Sequence, residues 1–323
     1  MKPAQDVSGP SKCLGGLPLT SCVIATFNMG RYISGAVRSV LEQTYSNLEV
    51  VVVDDGSNDD TASYMQAFTG DKRVRFLRTA RRGQPAAKNL GASEAGGDLL
   101  AFCDADDFWT PNKLSLQVPL LLASGNAGVV YGGYADLFED GSVVAASQEM
   151  FRAGRVVDDL FVTNFVPFGT ALLRKRLFDD LGGFDETLTM GIDWDLWLRA
   201  AVTEEFRYVP EVVYLYRRWS GQMSRDWQGR YEAAFRIMDR FRSRYPSTLS
   251  PRTVRRAYAD SYANLALHRL AACGSRAACT ADAWRAIQFD PLMSLGWRAL
   301  ARSLVNRPYK RPAYLTRASR PDE

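Results

Sequence analysis

Short apolar runs alternate with segments of helical periodicity through the first part of the chain. The runs Ser21–Phe27 and Leu48–Val53 are rich in β-branched residues and almost continuously apolar, as a parallel strand buried on both faces requires. Between these runs, apolar residues return at helical spacing, at Ile33, Ala36, Val37, Val40 and Leu41. The order strand, helix, strand predicts a right-handed βαβ unit.

The same alternation continues towards the middle of the chain. It predicts a helix over Asp60–Phe68, a strand over Val74–Leu77, a helix over Pro85–Ala95, a buried strand over Asp98–Cys103 and a helix over Pro111–Leu122. Two further runs, Ala127–Tyr134 and Ser142–Ala146, flank the turn dipeptide Asp140-Gly141 and predict strands near a sheet edge. Together these elements indicate an α/β fold with a mixed, mainly parallel sheet flanked by helices.

The pattern becomes helical from about Asp226. Apolar residues keep helical spacing up to Pro246, and Tyr258–Ala272 with Ala281–Gln288 predicts a helical hairpin, followed by another helix to about Val305. This hairpin resembles a single tetratricopeptide-type repeat. We expect three regions: a flexible arm (1–18), an α/β domain (19–224) and a basic helical extension (225–323) whose last 17 residues are frayed.

The net charge of +4 conceals an asymmetry between these regions. Residues 225–323 carry 19 Lys and Arg against 8 Asp and Glu, a balance of +11, which leaves −7 for residues 1–224. The basic region is either a solvated helical face or a surface attracted to an anionic partner, such as a phospholipid membrane. No nucleic-acid motif accompanies the charge, so we expect no nucleic-acid partner.

Composition excludes several kinds of chemistry. The single histidine, His268, rules out multi-histidine metal sites, so acid–base chemistry falls to carboxylates and any metal is a hard, oxygen-bound ion. The five cysteines are odd in number and lack zinc-binding spacing, which indicates a reduced, cytoplasmic chain. No apolar stretch approaches the roughly 20 residues that span a bilayer, so no transmembrane helix or secretory signal is expected.

Two acidic clusters follow predicted strands. Asp54-Asp55 precedes Gly56, which lets the backbone turn closely around a ligand, and Asp104, Asp106 and Asp107 follow the second buried strand. Ligands of doubly wound sheets bind beyond the carboxyl ends of strands, and two carboxylates one residue apart can both face Mg²⁺ or Mn²⁺. The alternative is structural: the first cluster caps a helix, and the second forms an acidic turn that caps the helix after Pro111.

Two further features are candidates for chemistry. Asp193 stands before an amphipathic helix, where a carboxylate can accept a proton from an attacking hydroxyl or can simply cap the helix. The segment Gly83–Asn89 opens another predicted helix and contains Lys88, and a helix start with a nearby cation suits a phosphate. Lys88 is otherwise an ordinary surface lysine.

Taken together, these segments resemble a known family. The strings SCVIATFN, SVLEQTYSNLEVVVVDDGSNDDT, GQPAAKNLGASEAGGDLLAFCDADD, LFDDLGGFDETL and DWDLWLRAA occur in this order. The combination resembles family 2 glycosyltransferases of the nucleotide-diphospho-sugar transferase superfamily, which have the GT-A fold. The resemblance covers about residues 19–224.

The resemblance implies a role for several residues. Asp55 would contact the nucleotide base, Asp106 of the D-x-D motif would bind Mn²⁺ or Mg²⁺ together with Asp104, and Asp193 would be the catalytic base. Contacts to the nucleotide-sugar are expected from Ala25, Thr26, Asn28, Asp55, Gly83, Lys88, Asp104 and Ala105. Contacts on the acceptor side are expected from Trp194, Asp195, Arg218 and Trp219.

The chain departs from the family pattern at three positions. Ile192 replaces the glutamate before the base, and Trp219 replaces the histidine of a Y-R-x-H stretch, which removes an expected acceptor contact and a third metal ligand. Arg218-Trp219 also resembles the Q-x-x-R-W motif of processive synthases, but Leu215 stands in place of the glutamine. Without transmembrane helices, this favours an enzyme that adds one sugar.

The expected function is inverting, metal-dependent transfer of a sugar from a nucleotide-diphospho-sugar, a UDP-sugar by resemblance, to an acceptor hydroxyl. The acceptor would be a sugar, glycan or lipid-linked glycan of cell-surface polysaccharide or glycolipid assembly, met at the inner membrane face. Two alternatives are a nucleotidylyltransferase, whose Gly- and Arg-rich loop is absent from ATFNMGRY, and a non-catalytic sugar-nucleotide-binding scaffold.

Overall fold

A single mixed sheet organises the first two thirds of the chain in the computed structural model, which describes residues 16–305. The flexible arm expected at 1–18 lies mostly outside these residues, and the expected frayed end lies wholly outside them. The strands are β1 Thr20–Thr26, β2 Leu48–Asp54, β3 Val74–Arg78, β4 Leu99–Phe102, β5 Phe108–Trp109, β6 Ala127–Leu137, β7 Val143–Ala145, β8 Leu172–Arg174 and β9 Glu205–Arg217.

The strand order is β3-β2-β1-β4-β8-β6-β9-β5, with β7 paired to β6. Strands β1 to β4 are parallel, as the βαβ pattern predicted, and β6 is parallel to β9. The short strand β8 runs antiparallel between β4 and β6. The fold class predicted from the sequence is therefore confirmed.

The prediction that β6 lies near a sheet edge was wrong. β6 is almost entirely buried and pairs with β8 on one side and β9 on the other. Both neighbours come later in the chain, so their places could not be inferred from the hairpin alone. The other strand of that hairpin, β7, is exposed and pairs with β6 over the end of its length.

Helices cover both faces of the sheet. Their bounds are α1 Gly30–Leu41, α2 Thr61–Met65, α3 Gln84–Glu94, α4 Lys113–Ala123, α5 Val157–Val162, α6 Lys175–Asp180, α7 Ile192–Ala201, α8 Trp227–Arg244, α9 Pro251–Cys273, α10 Arg276–Phe289 and α11 Ser294–Leu304. In β2, Val50 and Val52 pack with α1 and α4, whereas Val51 and Val53 pack with α3 and α7. This burial on both faces explains the continuous apolar runs of the strands.

The C-terminal helices pack directly on the α/β part. Ile237, Met238 and Phe241 of α8, with Ala257 and Tyr258 of α9, belong to the same core as the α7 face of the sheet. The predicted helical hairpin is present as α9 and α10, and α11 completes a separate small core with them. The boundary at residue 225 stays a prediction.

The parallel strands place their following loops at one edge of the sheet. The loops after β1, β2, β3 and β4 all leave from this edge because these strands share one direction. Asp54 ends β2, and Asp55 and the cluster that begins at Asp104 lie in two of these loops. This edge is where the candidate site is built.

Candidate active site

The loops after β1 and β2 are tied together by short hydrogen bonds. Asn28, in a left-handed conformation with φ of 53°, accepts a bond from the Asn58 N–H at 2.9 Å through Oδ1 and donates its own N–H to Ser57 Oγ at 2.8 Å. Thr26 is buried, and its carbonyl accepts the Asp55 N–H. Asp54 Oδ1 accepts the Ser57 N–H at 2.8 Å. The two loops therefore form one fixed surface.

Asp55 joins this surface to the start of α3. Its carboxylate is 4% exposed and accepts the N–H groups of Arg82 and Gly83 at 2.7 and 2.8 Å. Gly83, with φ of 96°, is the residue that precedes α3. The idea that Asp54-Asp55 caps the next helix was wrong, because Asp60 holds that position before α2. The expected contact of Asp55 with a nucleotide base stays a prediction.

A partly exposed stack lies beside these loops. The guanidinium of Arg81 sits 3.9 Å from the centre of the Phe27 ring, which directly follows β1. A flat face of this kind can take a nucleobase. Nothing in the sequence pattern pairs these two residues, which are distant in the chain.

Lys88 connects α3 to the second acidic cluster. It is 1% exposed, its ammonium donates to Asp104 Oδ1 at 2.8 Å, and it lies 3.8 Å from the centre of the Phe168 ring. The reading of Lys88 as a surface lysine was therefore wrong. Ala105, the middle residue of the D-x-D motif, is buried.

Asp107 anchors the acidic turn to β9. It is buried, and its two oxygens accept the Tyr214 hydroxyl and the Arg217 N–H, both at 2.7 Å. Burial raises the pKa of Asp107 well above its usual value, and the charges of Asp106 and Asp104 add to the rise. The second cluster does not cap the helix after Pro111, because Asn112 precedes α4.

Asp106 is held by the residue that replaces the expected histidine. The Trp219 indole N–H donates to Asp106 Oδ2 at 2.7 Å. Burial raises the pKa of Asp106, the negative charge of Asp104 adds to this, and the Trp219 hydrogen bond opposes it. The two carboxylates of the D-x-D motif thus lie near enough to repel each other.

The D-x-D carboxylates fit Mn²⁺ or Mg²⁺ shared with a diphosphate. Within the described part of the chain, no three His, Cys, Asp or Glu side chains are grouped around a common metal position. Asp104 and Asp106 each keep one oxygen that no other described residue bonds, and their mutual repulsion would be relieved by a bound cation. Such ions commonly take one or two carboxylates and complete their shell with phosphate oxygens.

Asp193 lies in the first turn of α7. Gly191, with φ of 70°, precedes the helix, so the reading of Asp193 as its cap was wrong. Asp193 Oδ2 accepts the Asn164 amide N–H at 2.9 Å. Burial raises the pKa of Asp193, while the Asn164 hydrogen bond and the positive charge of Lys88 oppose the rise. The charge of Lys88 therefore acts on both the D-x-D turn and the candidate base.

The residues expected on the acceptor side already have partners in the protein. Trp194 is 8% exposed and donates its indole N–H to the Leu160 carbonyl at 2.7 Å. Asp195 is ion-paired with Arg199 at 2.7 Å. Their acceptor role stays a prediction.

The other two residues expected on the acceptor side, Arg218 and Trp219, also have partners in the protein. Arg218 is paired with Asp136 at 2.8 Å, and Trp219 contacts Asp106 as described. Ile192, in place of the family's glutamate, is 4% exposed and packs in the core.

Sequence reasoning missed residues that come from distant segments. Asn164, Phe168 and Tyr214 contact Asp193, Lys88 and Asp107 respectively. Only the fold brings them to the acidic loops.

Comparisons with known proteins agree with this architecture. The sequence model described as "Glycosyl transferase family 2" matches residues 21–182, half of the chain. The Escherichia coli protein WfgD, named a UDP-Glc:alpha-D-GlcNAc-diphosphoundecaprenol beta-1,3-glucosyltransferase, is 35% identical over 127 residues, 39% of this chain and 49% of WfgD.

Solved structures show the same fold at low sequence identity. S. aureus TarS 1-349 in complex with UDP-GlcNAc is 16% identical, with a TM-score of 0.66 and 88% of each chain covered. The mannosyltransferase PcManGT from Pyrobaculum calidifontis, in complex with GDP-Man and Mn²⁺, is 20% identical, with a TM-score of 0.56 and coverage of 90% of this chain and 85% of PcManGT.

The fold is that of the GT-A transferases. The chain belongs to glycosyl transferase family 2. The matched segments span 26% to 58% of the length of the first six curated relatives, all described as uncharacterized glycosyltransferases.

Proposed function

We propose that this protein is an inverting, metal-dependent glycosyltransferase that moves a sugar from a nucleotide-diphospho-sugar to an acceptor hydroxyl. The observation that carries the proposal is the position of Lys88. This buried lysine donates to Asp104 of the D-x-D motif, and its charge acts on the buried carboxylate of Asp193. The charge of one buried side chain therefore acts on both a group for the donor phosphates and a candidate base.

The proposed reaction is a single displacement. The acceptor oxygen attacks the anomeric carbon, the bond from that carbon to the diphosphate oxygen breaks, and Asp193 takes the hydroxyl proton. Attack from the face opposite the leaving group inverts the configuration. General-base help of this kind contributes about 10²–10⁴-fold, and fixed positioning of the substrates supplies much of the remaining acceleration.

The leaving diphosphate is the main charge that the site has to stabilise. Asp104 and Asp106 would hold Mn²⁺ or Mg²⁺, which supplies neutralisation of the negative charge that develops on the diphosphate. Lys88 adds a fixed positive charge that is shielded from water. Asp55 and Gly83 shape the adjacent loops for the nucleotide.

The donor and acceptor are proposed by analogy with relatives. UDP-sugars are favoured because TarS is described with UDP-GlcNAc and WfgD is named for UDP-Glc. A lipid-linked glycan is proposed as acceptor because the name of WfgD includes such a substrate. This would place the enzyme in cell-surface polysaccharide or glycolipid assembly, on the cytoplasmic membrane face.

Family membership favours glycosyl transfer over the two alternative interpretations. A nucleotidylyltransferase would release pyrophosphate, whereas the proposed enzyme releases a nucleoside diphosphate. A scaffold would release neither product. Two assays together separate the three: release of UDP from a UDP-sugar, and release of pyrophosphate from UTP and a sugar 1-phosphate.

The first prediction concerns Asp193→Asn. We expect turnover to fall by about 10²–10⁴-fold because the amide cannot accept the proton, while donor affinity stays within about two-fold. Hydrolysis of UDP-GlcNAc or UDP-glucose, with water in place of the acceptor, measures turnover, and calorimetry with Mn²⁺ measures affinity. The matched control is Asp180→Asn at an exposed position at the end of α6. Unchanged hydrolysis in Asp193→Asn would reject this residue as the base.

A further inference from the structure

An aromatic pair borders the D-x-D turn. The Trp219 indole donates to Asp106 Oδ2 at 2.7 Å, and its ring lies 5.4 Å from the ring of Tyr32, centre to centre. Tyr32 stands in the first turn of α1, directly beyond β1. A Cβ at Gly221 would overlap the Trp219 ring, so the backbone after Trp219 has to fold closely over the indole.

Two arginines are held against these rings. The Arg31 guanidinium lies 4.3 Å from the centre of the Tyr32 ring and 5.0 Å from that of Trp219. The Arg217 guanidinium lies 4.9 Å from the Tyr32 ring and donates through Nε to the Asp106 carbonyl at 2.9 Å. Neither arginine forms an ion pair with a carboxylate among residues 16–305.

Stacking on an aromatic face fixes the plane of a guanidinium and leaves N–H groups at its edge for a planar, bidentate anion such as a phosphate. The indole N–H also restrains Asp106 without neutralising it. The oriented carboxylate of Asp106 and two guanidinium groups without a carboxylate partner among the described residues, those of Arg31 and Arg217, therefore lie around the Trp219–Tyr32 pair.

We propose that Trp219 is a positioning residue for the donor diphosphate. Its N–H orients Asp106, and its ring, with Tyr32, presents Arg31 as a protein-supplied cation to the diphosphate oxygens. The inference rests on the proposed function, since it assumes a nucleoside diphosphate at this edge of the sheet. In this proposal Trp219 contacts the donor, whereas from the sequence we expected it to contact the acceptor.

The test compares binding of UDP and uridine by calorimetry, each with Mn²⁺ and with EDTA. The variants are Trp219→Phe, which keeps a ring but loses the N–H, and Arg31→Gln, which loses the charge. Trp284→Phe is the matched control, because Trp284 lies half-exposed on α10. Thermal unfolding of each variant checks that it folds.

Arg31→Gln should weaken UDP binding about ten-fold under both conditions, because a charge-assisted contact to phosphate is lost. Trp219→Phe should reduce the gain in UDP affinity that Mn²⁺ provides by a similar factor. Uridine affinity should stay within two-fold in both variants, since uridine has no phosphate. A merely structural role would weaken UDP and uridine binding equally.

Two results would overturn the inference while leaving the proposed function intact. In the first, the wild type binds UDP and both variants bind it with unchanged affinity. In the second, the variants lose affinity for UDP and for uridine by the same factor. A wild-type chain that binds neither UDP nor GDP would overturn the proposed function and this inference with it.

Discussion

Lys88 shows how a single buried charge can organise a site. A lysine that is 1% exposed is stable only when its charge is compensated, and here Asp104 and the face of Phe168 compensate it. The same charge stabilises the ionised form of Asp193. A residue that the sequence could equally assign to the surface therefore sets the electrostatics of the whole site.

Asn164 tunes the proposed base, and its removal gives the second prediction. Burial raises the pKa of Asp193, and the Asn164 N–H counteracts this by bonding the ionised form. The base is active when deprotonated, so turnover falls as the pH drops through this pKa. Asn164→Ala removes a donor to the charged form, so the acid limb of the pH–turnover profile should move up by about one to two pH units.

The profile of donor hydrolysis against pH measures this shift. Asn126→Ala is the matched control, because Asn126 is exposed in the turn before β6. A limb that stays in place, or moves to lower pH, would contradict the role given to the Asn164 amide. Full turnover of Asn164→Ala at high pH would show that the base itself is intact.

At the scale of elements, the sequence predicted the strands and helices that have strong periodicity. β1, β2 and β4 are continuous apolar runs because helices cover both of their faces. β8 has only three residues, and β9 carries Pro210 and Glu211 where its pairing with β6 is irregular, so neither has a clear pattern.

The residues of the candidate site could likewise be predicted only where they follow strands with a clear pattern. The loops after parallel strands could be placed at one edge from the sequence, and Asp55, Asp104 and Asp106 with them. The groups that hold the D-x-D turn, such as Tyr214 and Trp219, come from β9 and the segment that follows it. Their contacts depend on a strand order that periodicity does not encode.

Close packing of α3 on the sheet gives the third prediction, which concerns Gly91→Ala. A Cβ at Gly91 would overlap the side chain of Val23, which is fully buried in β1. Alanine favours a helix interior by about 1 kcal/mol, but the overlap should outweigh this, so the free energy of unfolding should fall by about 1–3 kcal/mol. Denaturant unfolding measures the change.

Gly70→Ala is the matched control for this substitution. A Cβ at Gly70 would meet nothing within 4 Å, so its effect should stay within about 0.5 kcal/mol. If Gly91→Ala were as stable as the wild type, α3 could move away from β1 at no cost. Lys88, which lies on this helix, would then not be held in place by packing.

At the scale of the whole molecule, the C-terminal helices support the proposed base. Gly191, the residue before α7, lies so close to α8 that an added Cβ would be 2.8 Å from Ile237 Cδ1. α8 and α9 also share the core that buries Trp194 and Trp197 of α7. The helical region is thus part of the packing around α7, the helix that carries Asp193.

The charge of this region leads to the last prediction, association with an anionic membrane. Within residues 16–305 no helix is both long and apolar enough to cross a membrane. Large apolar side chains are nevertheless exposed on the last two helices, including Trp284 of α10 at 52% and Trp297 of α11 at 49%. Arg298 and Arg302 are exposed on the same helix as Trp297. Indoles beside arginines favour the membrane–water interface.

We therefore expect the full chain to co-sediment with vesicles of phosphatidylglycerol and phosphatidylcholine at low salt, and not with phosphatidylcholine alone. High salt should release it, because each arginine near the surface contributes about 1 kcal/mol through a screened attraction. Replacing Trp284 and Trp297 by Ser should weaken binding at every salt concentration, whereas Tyr64→Ser, at an exposed position on α2, should not. Binding that depends on salt but not on the tryptophans would make the contact purely electrostatic. Absence of binding at low salt would leave the arginines as a solvated helical face and reject this region as a membrane contact.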